Sequence, residues 1–104
     1  NRMRDSFIYY KLKFLFMSKI SQEKIEKIKE EILRVLYEGY PNFMYTYQVS
    51  DSVLRDDGFV LNLLKELRKF NLVTNIEESK GANIKRRWSL TNLAYDKYKE
   101  LLNS

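Results

Sequence analysis

One amphipathic stretch, Phe59–Asn71 (FVLNLLKELRKFN), constrains what this chain can fold into more than any other. Its apolar residues recur with the spacing that places side chains on one face of a helix. They form a single stripe: Val60, Leu61, Leu64, Leu67 and Phe70. Because a helix of this kind is stable only when its apolar stripe is covered, the rest of the chain must supply packing partners.

Capping and turn signals flank this stretch. Asp56, Asp57 and Gly58 interrupt the chain just before it, and the two aspartates can cap a helix start with their side chains. Asn71 stands where a left-handed residue commonly ends a helix. The β-branched sequence LVTNI follows at once. These signals predict a helix over Phe59–Phe70 that leads directly into a strand.

A longer helix is predicted upstream. Ser21 is its expected N-cap, Ile20 can pack against Ile25, and Gly39 ends it before Pro41. Five residues make its buried stripe: Ile25, Ile28, Ile32, Val35 and Leu36. The alternating lysines and glutamates on the other face are typical of a solvated helix surface.

A short strand and a short helix are predicted between these two helices. The aromatic segment Phe43–Tyr47 has strand character, and Thr46 can cap a helix that runs to about Arg55. We expect this helix to bury three side chains: Val49, Val53 and Leu54.

A β-hairpin and a last helix complete the chain. Lys80–Asn83 separates the strands Val73–Glu78 and Ile84–Leu90, with Gly81 at the tip of the turn. Thr91 is the expected cap of the last helix. Its predicted buried stripe consists of Leu93, Ala94, Tyr98, Leu101 and Leu102.

The first segment, Asn1–Phe16, carries two competing patterns. Ile8, Leu12 and Leu15 follow helical spacing, whereas YKLKF alternates like a strand, and we favour the helix. Met17 followed by Ser and Lys also suits a natural start, which would make the preceding residues an extension. The segment is either a first core helix or an aromatic-rich arm that packs on a second subunit.

The predicted order is helix, short strand, helix, helix, two-stranded hairpin, helix. This is the order of a winged helix-turn-helix, a mainly α fold with a small β wing (α+β): a three-helix core plus a two-stranded wing and terminal helices. We expect one such domain over residues 19–104, with residues 1–18 as an N-terminal arm or helix and dimerisation element. In this fold Phe59–Phe70 is the helix that usually faces a DNA groove.

Three segments resemble PadR-like regulators. EILRVLYEG followed by MYTYQVSDSVL is similar to their first helix and the opening of their helix-turn-helix. Their recognition helix is similar to LLKELRKFNLV, in which Asn71 takes the place of the usual glycine. Their transition from the wing to the final helix is similar to KRRWSLTNLAYDKYKELL, in which Trp88 stands at the aromatic position and Ala94 stands where glycine is common. MarR-like and ArsR-like winged helices share these patterns over Ser21–Leu102. The resemblance implies a dimeric DNA-binding transcriptional regulator.

Composition narrows the function classes. The chain has no cysteine and no histidine, which excludes disulfides, thiolate or histidine metal sites, cysteine nucleophiles and histidine-based triads. Gly39, Gly58 and Gly81 lie far apart, so no phosphate-cradling glycine loop is present. We therefore expect no enzyme activity, no catalytic residue, no metal and no cofactor.

No apolar run reaches the length of a membrane span, and Lys11 and Lys13 interrupt the one stretch as long as a signal-peptide core, so a cytoplasmic protein without a membrane partner is expected. The lysine-, glutamate- and isoleucine-rich composition resembles that of hyperthermophile proteins and predicts a thermophilic, archaeal source.

The positive charge is concentrated at the two ends of the sequence. Asn1–Ile20 has five cations against one aspartate, and Ser79–Ser104 has six against two carboxylates, so each carries about +4 while the part between them carries about −3, for a net charge of +5. A basic hairpin of this kind suits a polyanionic partner.

The candidate DNA contacts fall into three groups. Tyr45, Thr46, Tyr47 and Gln48 open the first helix of the motif and could touch phosphates. On the recognition helix we take the outward positions to be Phe59, Asn62, Leu63, Glu66 and Lys69; Asn62 suits base recognition, whereas Lys65 and Lys69 suit phosphates. The wing contributes Lys80, Asn83, Lys85, Arg86 and Arg87, with the two arginines expected to alternate across the strand.

The leading hypothesis is a small homodimeric regulator that binds double-stranded DNA, either at a specific sequence or as an architectural protein. Two alternatives stay open. Phe59 and Leu63 could form an apolar face that docks a protein partner, and the same cations could bind RNA.

Overall fold

The computed structural model describes residues 22–103. Predictions that fall on residues 1–21, including the Ser21 cap and the Ile20 contact, lie outside the described residues. In chain order the elements are α1 (residues 22–39), β1 (Met44–Tyr45), α2 (Thr46–Val53), α3 (Asp57–Lys69), β2 (Val73–Lys80), β3 (Asn83–Leu90) and α4 (Asn92–Asn103).

The core forms where α1, α2 and α3 pack around the base of the hairpin. Ile32 and Leu36 of α1, Val49 of α2 and Val60 of α3 are all fully buried. Trp88 of β3 is also fully buried, and its indole Nε1 donates a hydrogen bond to Thr46 Oγ1 at 2.9 Å. Trp88 is therefore a core residue, and this hydrogen bond satisfies the indole N–H that burial removes from water.

The first helix of the motif differs from the prediction at both ends. Tyr45 is the N-cap residue, and Gln48 Oε1 accepts a hydrogen bond from its backbone N–H at 2.8 Å. The helix ends at Val53, because Leu54 adopts a left-handed conformation (φ 57°). This turn directs the Leu54 side chain into solvent, where it is 86% exposed, so the prediction that Leu54 is buried was wrong.

The α3 helix starts two residues earlier than predicted and ends one residue earlier. Asp56 caps it by accepting a hydrogen bond from the Phe59 N–H at 3.1 Å, and Asn71 has the predicted left-handed conformation (φ 60°). Phe70 lies beyond the last helical residue and is 73% exposed, which contradicts its assignment to the buried stripe.

The wing belongs to a three-stranded antiparallel sheet in the order β1-β3-β2. The two long strands extend closer to the turn than predicted, and Gly81 sits in the turn with φ 63°, a conformation that glycine adopts without strain. The register pairs Glu77 with Arg86 and Asn75 with Trp88. Because side chains alternate along a strand, Arg86 shares the face of Trp88, and Arg87 shares the opposite face with Tyr45.

The last helix packs on α1 through aromatic rings. Thr91 caps it, since Thr91 Oγ1 accepts a hydrogen bond from the Ala94 N–H at 3.1 Å. The Tyr95 ring stacks on Tyr40, with centroids 4.0 Å apart, and on Tyr37, with centroids 5.1 Å apart. Only part of the predicted stripe is buried: Ala94 is buried and Tyr98 partly so, whereas Leu93, Leu101 and Leu102 are exposed. At 100° per residue, Leu93 points away from the side that carries Ala94 and Tyr98. Leu101 and Leu102 fall on that side but lie in the last turn of the helix, where they are exposed.

Within residues 22–103, none of the helices combines the length and the apolar character that crossing a membrane would need.

Candidate nucleic-acid interface

The outward face of α3 is defined by the residues opposite its buried side. Val60, Leu63, Leu64 and Leu67 are buried, and at 100° per residue the opposite face carries Gly58, Asn62, Lys65 and Lys69. Asn62 and Lys69 are exposed, and Lys65 is half-buried. The three polar residues predicted on this helix therefore lie together on the side that faces away from the core.

Three of the residues predicted on the outward face of α3 do not lie on that face. Leu63 is only 4% exposed, because it falls between Val60 and Leu67 on the core face of the helix. Phe59 is half-buried and packs against the core. Glu66 points towards α1, where its carboxylate accepts a hydrogen bond from Lys29 Nζ at 3.0 Å. An apolar docking face made by Phe59 and Leu63 is consequently absent.

Sequence reasoning missed two residues on the flank of α3 that faces the sheet. Leu61 contributes to a cavity shared with the wing. Arg68 donates a hydrogen bond to Asn75 Oδ1 of β2 at 3.0 Å, and its guanidinium lies 5.7 Å from the centroid of the Trp88 ring. The spacing of Leu61, Lys65 and Arg68 at i, i+4 and i+7 was the available signal for this flank.

That cavity, with a volume of about 300 Å³, joins the start of α3 to the wing. We call it the groove; it is lined by Tyr45, Thr46, Tyr47, Asp57, Gly58, Leu61, Ile84, Lys85 and Arg86. Its one acidic lining residue, Asp57, is held by α2, because the Asp57 carboxylate accepts a hydrogen bond from Ser50 Oγ. Arg86 and Lys85 give the wing side of the groove a positive charge.

The two wing arginines occupy opposite faces, as predicted, and each has a carboxylate partner. Arg86 Nε lies 3.1 Å from Glu77 Oε1, on the face that carries Trp88. Arg87 pairs with Glu78 on the other face, and its guanidinium carbon lies 5.7 Å from the Tyr45 ring centroid. Arg87 Nε is buried without a hydrogen-bond partner among the described residues.

Aromatic and cationic groups also meet on the outer face of the wing. The Tyr45 and Tyr47 rings stack with centroids 5.7 Å apart, and Lys85 Nζ lies 6.0 Å from the Tyr45 centroid. A second cavity of about 270 Å³ lies here, lined by Tyr45, Glu78, Lys80, Asn83 and Lys85. Sequence-distant residues from β1 and the hairpin are thus brought together around one ring.

Two of the predicted phosphate contacts already have structural partners. The Thr46 hydroxyl accepts the Trp88 indole N–H, and the Gln48 side chain caps α2. Tyr47, by contrast, is 54% exposed.

Among residues 22–103 there is no cluster of acidic side chains that could hold a metal ion.

Only solved structures show a likeness to this chain; no protein-family model and no curated protein matches it. A ZitR variant from Lactococcus lactis in its apo form has a TM-score of 0.59 and 22% identity, over 88% of this chain and 66% of that one. ZitR is described as a zinc-responsive MarR family member. A PadR-like transcription factor from Bacteroides fragilis has a TM-score of 0.64 and 17% identity, over 83% of this chain and 86% of that one.

A third neighbour is the complex of MepR from S. aureus with DNA, with a TM-score of 0.63 and 15% identity over 90% of this chain and 79% of that one. The chain spans only half to two thirds of the length of the ZitR structures it matches. Together with the element order and the sheet topology, these likenesses show that the chain has the winged helix-turn-helix fold, with α3 as the second helix of the motif and the β2–β3 hairpin as the wing.

Proposed function

We propose that this protein binds double-stranded DNA with α3 and the wing and acts as a small transcriptional regulator. The observation that carries the proposal is the groove itself, because it joins the start of α3 to the cationic face of the wing. An outward α3 face of this composition suits duplex DNA, since Asn62 can bond to an adenine edge while Lys65 and Lys69 reach phosphates.

The disposition of the carboxylates supports the same function. Asp56 caps α3, Asp57 accepts a hydrogen bond from Ser50, and Glu66 forms an ion pair with Lys29 on α1. Three acidic groups that would otherwise repel phosphates are therefore engaged by the protein. The net charge of +5 adds a general attraction for nucleic acid.

We also propose that the active species is a homodimer that recognises two half-sites. The exposed leucines of α4 and the exposed Phe70 provide apolar surface that a second copy could cover. A two-fold dimer would present two α3 helices about one DNA turn apart, which suits a palindromic site.

Binding of labelled random duplex DNA to the full chain, measured by fluorescence anisotropy over a salt series, tests the proposal. The logarithm of the binding constant should fall linearly with the logarithm of salt, with a slope of about −0.9 for each phosphate neutralised. Replacing Lys65 or Lys69 with alanine should flatten the slope by about one unit if each contacts a phosphate. Lys27→Ala, at an exposed position on α1, is the matched control and should leave the slope unchanged.

A single-stranded RNA of equal length distinguishes the second candidate function. The stacked Tyr45 and Tyr47 rings, with Lys85 beside them, favour RNA binding because unpaired bases stack on exposed aromatic rings. Tighter binding to this RNA than to duplex DNA, lost in Tyr47→Ala but not in Lys65→Ala, would contradict the DNA proposal.

A further inference from the structure

Arg86 is the wing arginine that faces the groove, and in this structure it is already bound to an anion. Its side chain is 24% exposed, and its Nε lies 3.1 Å from Glu77 Oε1 on the neighbouring strand. Glu77 is about half exposed, so the ion pair lies at the surface beside the groove. A DNA phosphate that binds Arg86 must therefore compete with the carboxylate of Glu77.

The neighbouring pair, Arg87 with Glu78, has a different environment. It lies on the opposite face of the sheet, where the Tyr45 ring covers the Arg87 guanidinium and Arg87 Nε is buried. The Arg87 side chain is 35% exposed, more than that of Arg86, but Arg87 does not line the groove. The chain thus carries two adjacent glutamates, each paired with an arginine, of which only Glu77 shares the face of the sheet that carries Arg86.

Carboxylate and phosphate compete for the same donors. Both present oxygen atoms that accept charge-assisted hydrogen bonds from a guanidinium. An ion pair at the protein surface contributes little net stability, because water screens it and both side chains lose freedom. A phosphate can accordingly displace Glu77, but the carboxylate then remains beside the DNA and repels it.

From this geometry we infer that Glu77 is an intramolecular competitor of DNA phosphate for Arg86 and limits the affinity of the wing for non-specific DNA. The inference rests on the proposed function. It assigns Glu77 the role of a specificity-determining residue: weaker non-specific binding increases the share of binding that base contacts must supply.

The test compares three substitutions that each remove one negative charge. They are Glu77→Gln, Glu78→Gln and Glu38→Gln; Glu38 pairs with Arg34 on α1, which lines no part of the groove. On random duplex DNA, Glu77→Gln should bind more tightly than wild type and steepen the salt slope by about 0.9, because Arg86 becomes available for one phosphate. Its advantage should grow about 3.5-fold when the salt concentration is lowered fourfold. Glu78→Gln and Glu38→Gln should both raise DNA affinity slightly, because each removes one negative charge, and neither should steepen the salt slope by a comparable amount.

The gain should also depend on Arg86. When Arg86 is replaced with alanine, adding Glu77→Gln should produce no more than the effect of Glu38→Gln, because the competed donor is absent. Thermal melting of each variant checks that the fold is retained. Equal effects of the three glutamine substitutions, a persistent Glu77→Gln gain without Arg86, or weaker binding by Glu77→Gln would each overturn the inference.

Elution from heparin, a sulfated polyanion, separates this inference from the proposed function. Glu77→Gln should elute at higher salt than Glu78→Gln, whether or not the natural partner is DNA. Failure of wild type to bind duplex DNA, with this heparin difference preserved, would reject the DNA proposal and retain the competition. Binding of DNA by wild type, without any difference between the two glutamine variants on heparin or DNA, would reject the competition alone.

Discussion

At the scale of single residues, two positions other than glycine within residues 22–103 have left-handed backbone conformations. Leu54 has φ 57° and Asn71 has φ 60°. Asparagine adopts this region at modest cost, whereas leucine pays for the proximity of its Cβ to the following carbonyl oxygen. The turn between α2 and α3 therefore stores strain that the turn after α3 largely avoids.

Replacing Leu54 with glycine should stabilise the fold by about 1 kcal/mol. The substitution removes left-handed strain of about 1–2 kcal/mol, but glycine loses more conformational entropy on folding, which offsets part of the gain. Leu54→Ala is the matched control: it removes the exposed side chain but keeps a Cβ, so it should not stabilise. Asn71→Gly should have a smaller effect than Leu54→Gly. Urea unfolding followed by circular dichroism measures all three, and equal stabilities of Leu54→Gly and Leu54→Ala would show that strain is not the cause.

Lys29 links α1 to α3 through Glu66. The hydrogen bond to Glu66 raises the pKa of the Lys29 ammonium, partial burial opposes this, and the charges of Glu66 and Glu26 raise it further. A raised pKa means that folding favours the charged lysine. Its contribution to stability is therefore fully present below the ordinary lysine pKa of about 10.4 and is lost as pH rises through the higher pKa of the folded state.

Lys29→Met should lower stability at pH 7 by under about 1 kcal/mol, since Glu66 is half exposed and solvent screens the pair. The difference between wild type and Lys29→Met should stay constant from pH 7 to 9 and shrink above about pH 10.4. Thermal melts across this range provide the measurement, with Lys27→Met as the control on the same helix. A difference that stayed constant up to pH 11.5 would exclude a role for the lysine charge.

At the scale of the elements, the sides of α3 have different environments. Leu63 and Leu64 belong to the core, Glu66 faces α1, and Asn62 lies on the outward side. Substitutions one residue apart on this helix must therefore differ in kind, because one removes packing and the next removes only a surface contact.

Asn62→Ala should relax base preference at one position by about 1–3 kcal/mol if the Asn62 amide bonds to adenine, and it should leave stability nearly unchanged. Leu63→Ala should instead destabilise the fold by about 2–5 kcal/mol, because it opens a cavity beside Val60 and Leu67. Binding to a library of duplex sequences and chemical unfolding of both variants separate these effects. An Asn62→Ala variant with unaltered sequence preference would restrict α3 to phosphate contacts and favour architectural binding.

At the scale of the whole molecule, the described chain leaves leucine side chains uncovered at both ends of α4. Leu93 is 58% exposed and Leu102 is 59% exposed, while Ala94 and Tyr95 face the rest of the domain. Exposed apolar side chains on one element are a common feature of surfaces that bind a second subunit. Their position on a terminal helix leaves α3 and the wing free.

We expect a homodimer in solution, and replacement of Leu93 and Leu102 with lysine should shift it towards monomer without unfolding it, because both side chains are exposed in the single chain. Light scattering across a range of protein concentrations gives the mass, and melting confirms the fold. The double lysine substitution should weaken binding to a palindromic site more than binding to a half-site. A strict monomer at high concentration for wild type would remove the dimer from the proposed function.

Local signals in the sequence were sufficient to predict the elements and their order. Helical spacing identified α1 and α3, and Asp56 and Thr91 were recognised as caps. Asn71 was recognised as a left-handed position and Gly81 as the tip of the hairpin turn. These features depend on neighbouring residues in the chain. The 3.6-residue and 2-residue periods and the backbone preferences of Gly and Asn act within one turn or strand.

Contacts between distant parts of the chain decided the site. Thr46 accepts a hydrogen bond from Trp88, and Tyr40 donates one to Asn92, across separations that no local pattern encodes. Packing also decided the position of Leu63, which is buried in the core although the sequence predicts an outward side chain. Arg86 and Arg87 are neighbours on one strand, but they lie on opposite faces of the sheet and contact different residues. The sequence determined which residues could form each face, but only packing determined which face each neighbouring element would cover, because burial is decided by the whole set of elements that compete for the same apolar surface.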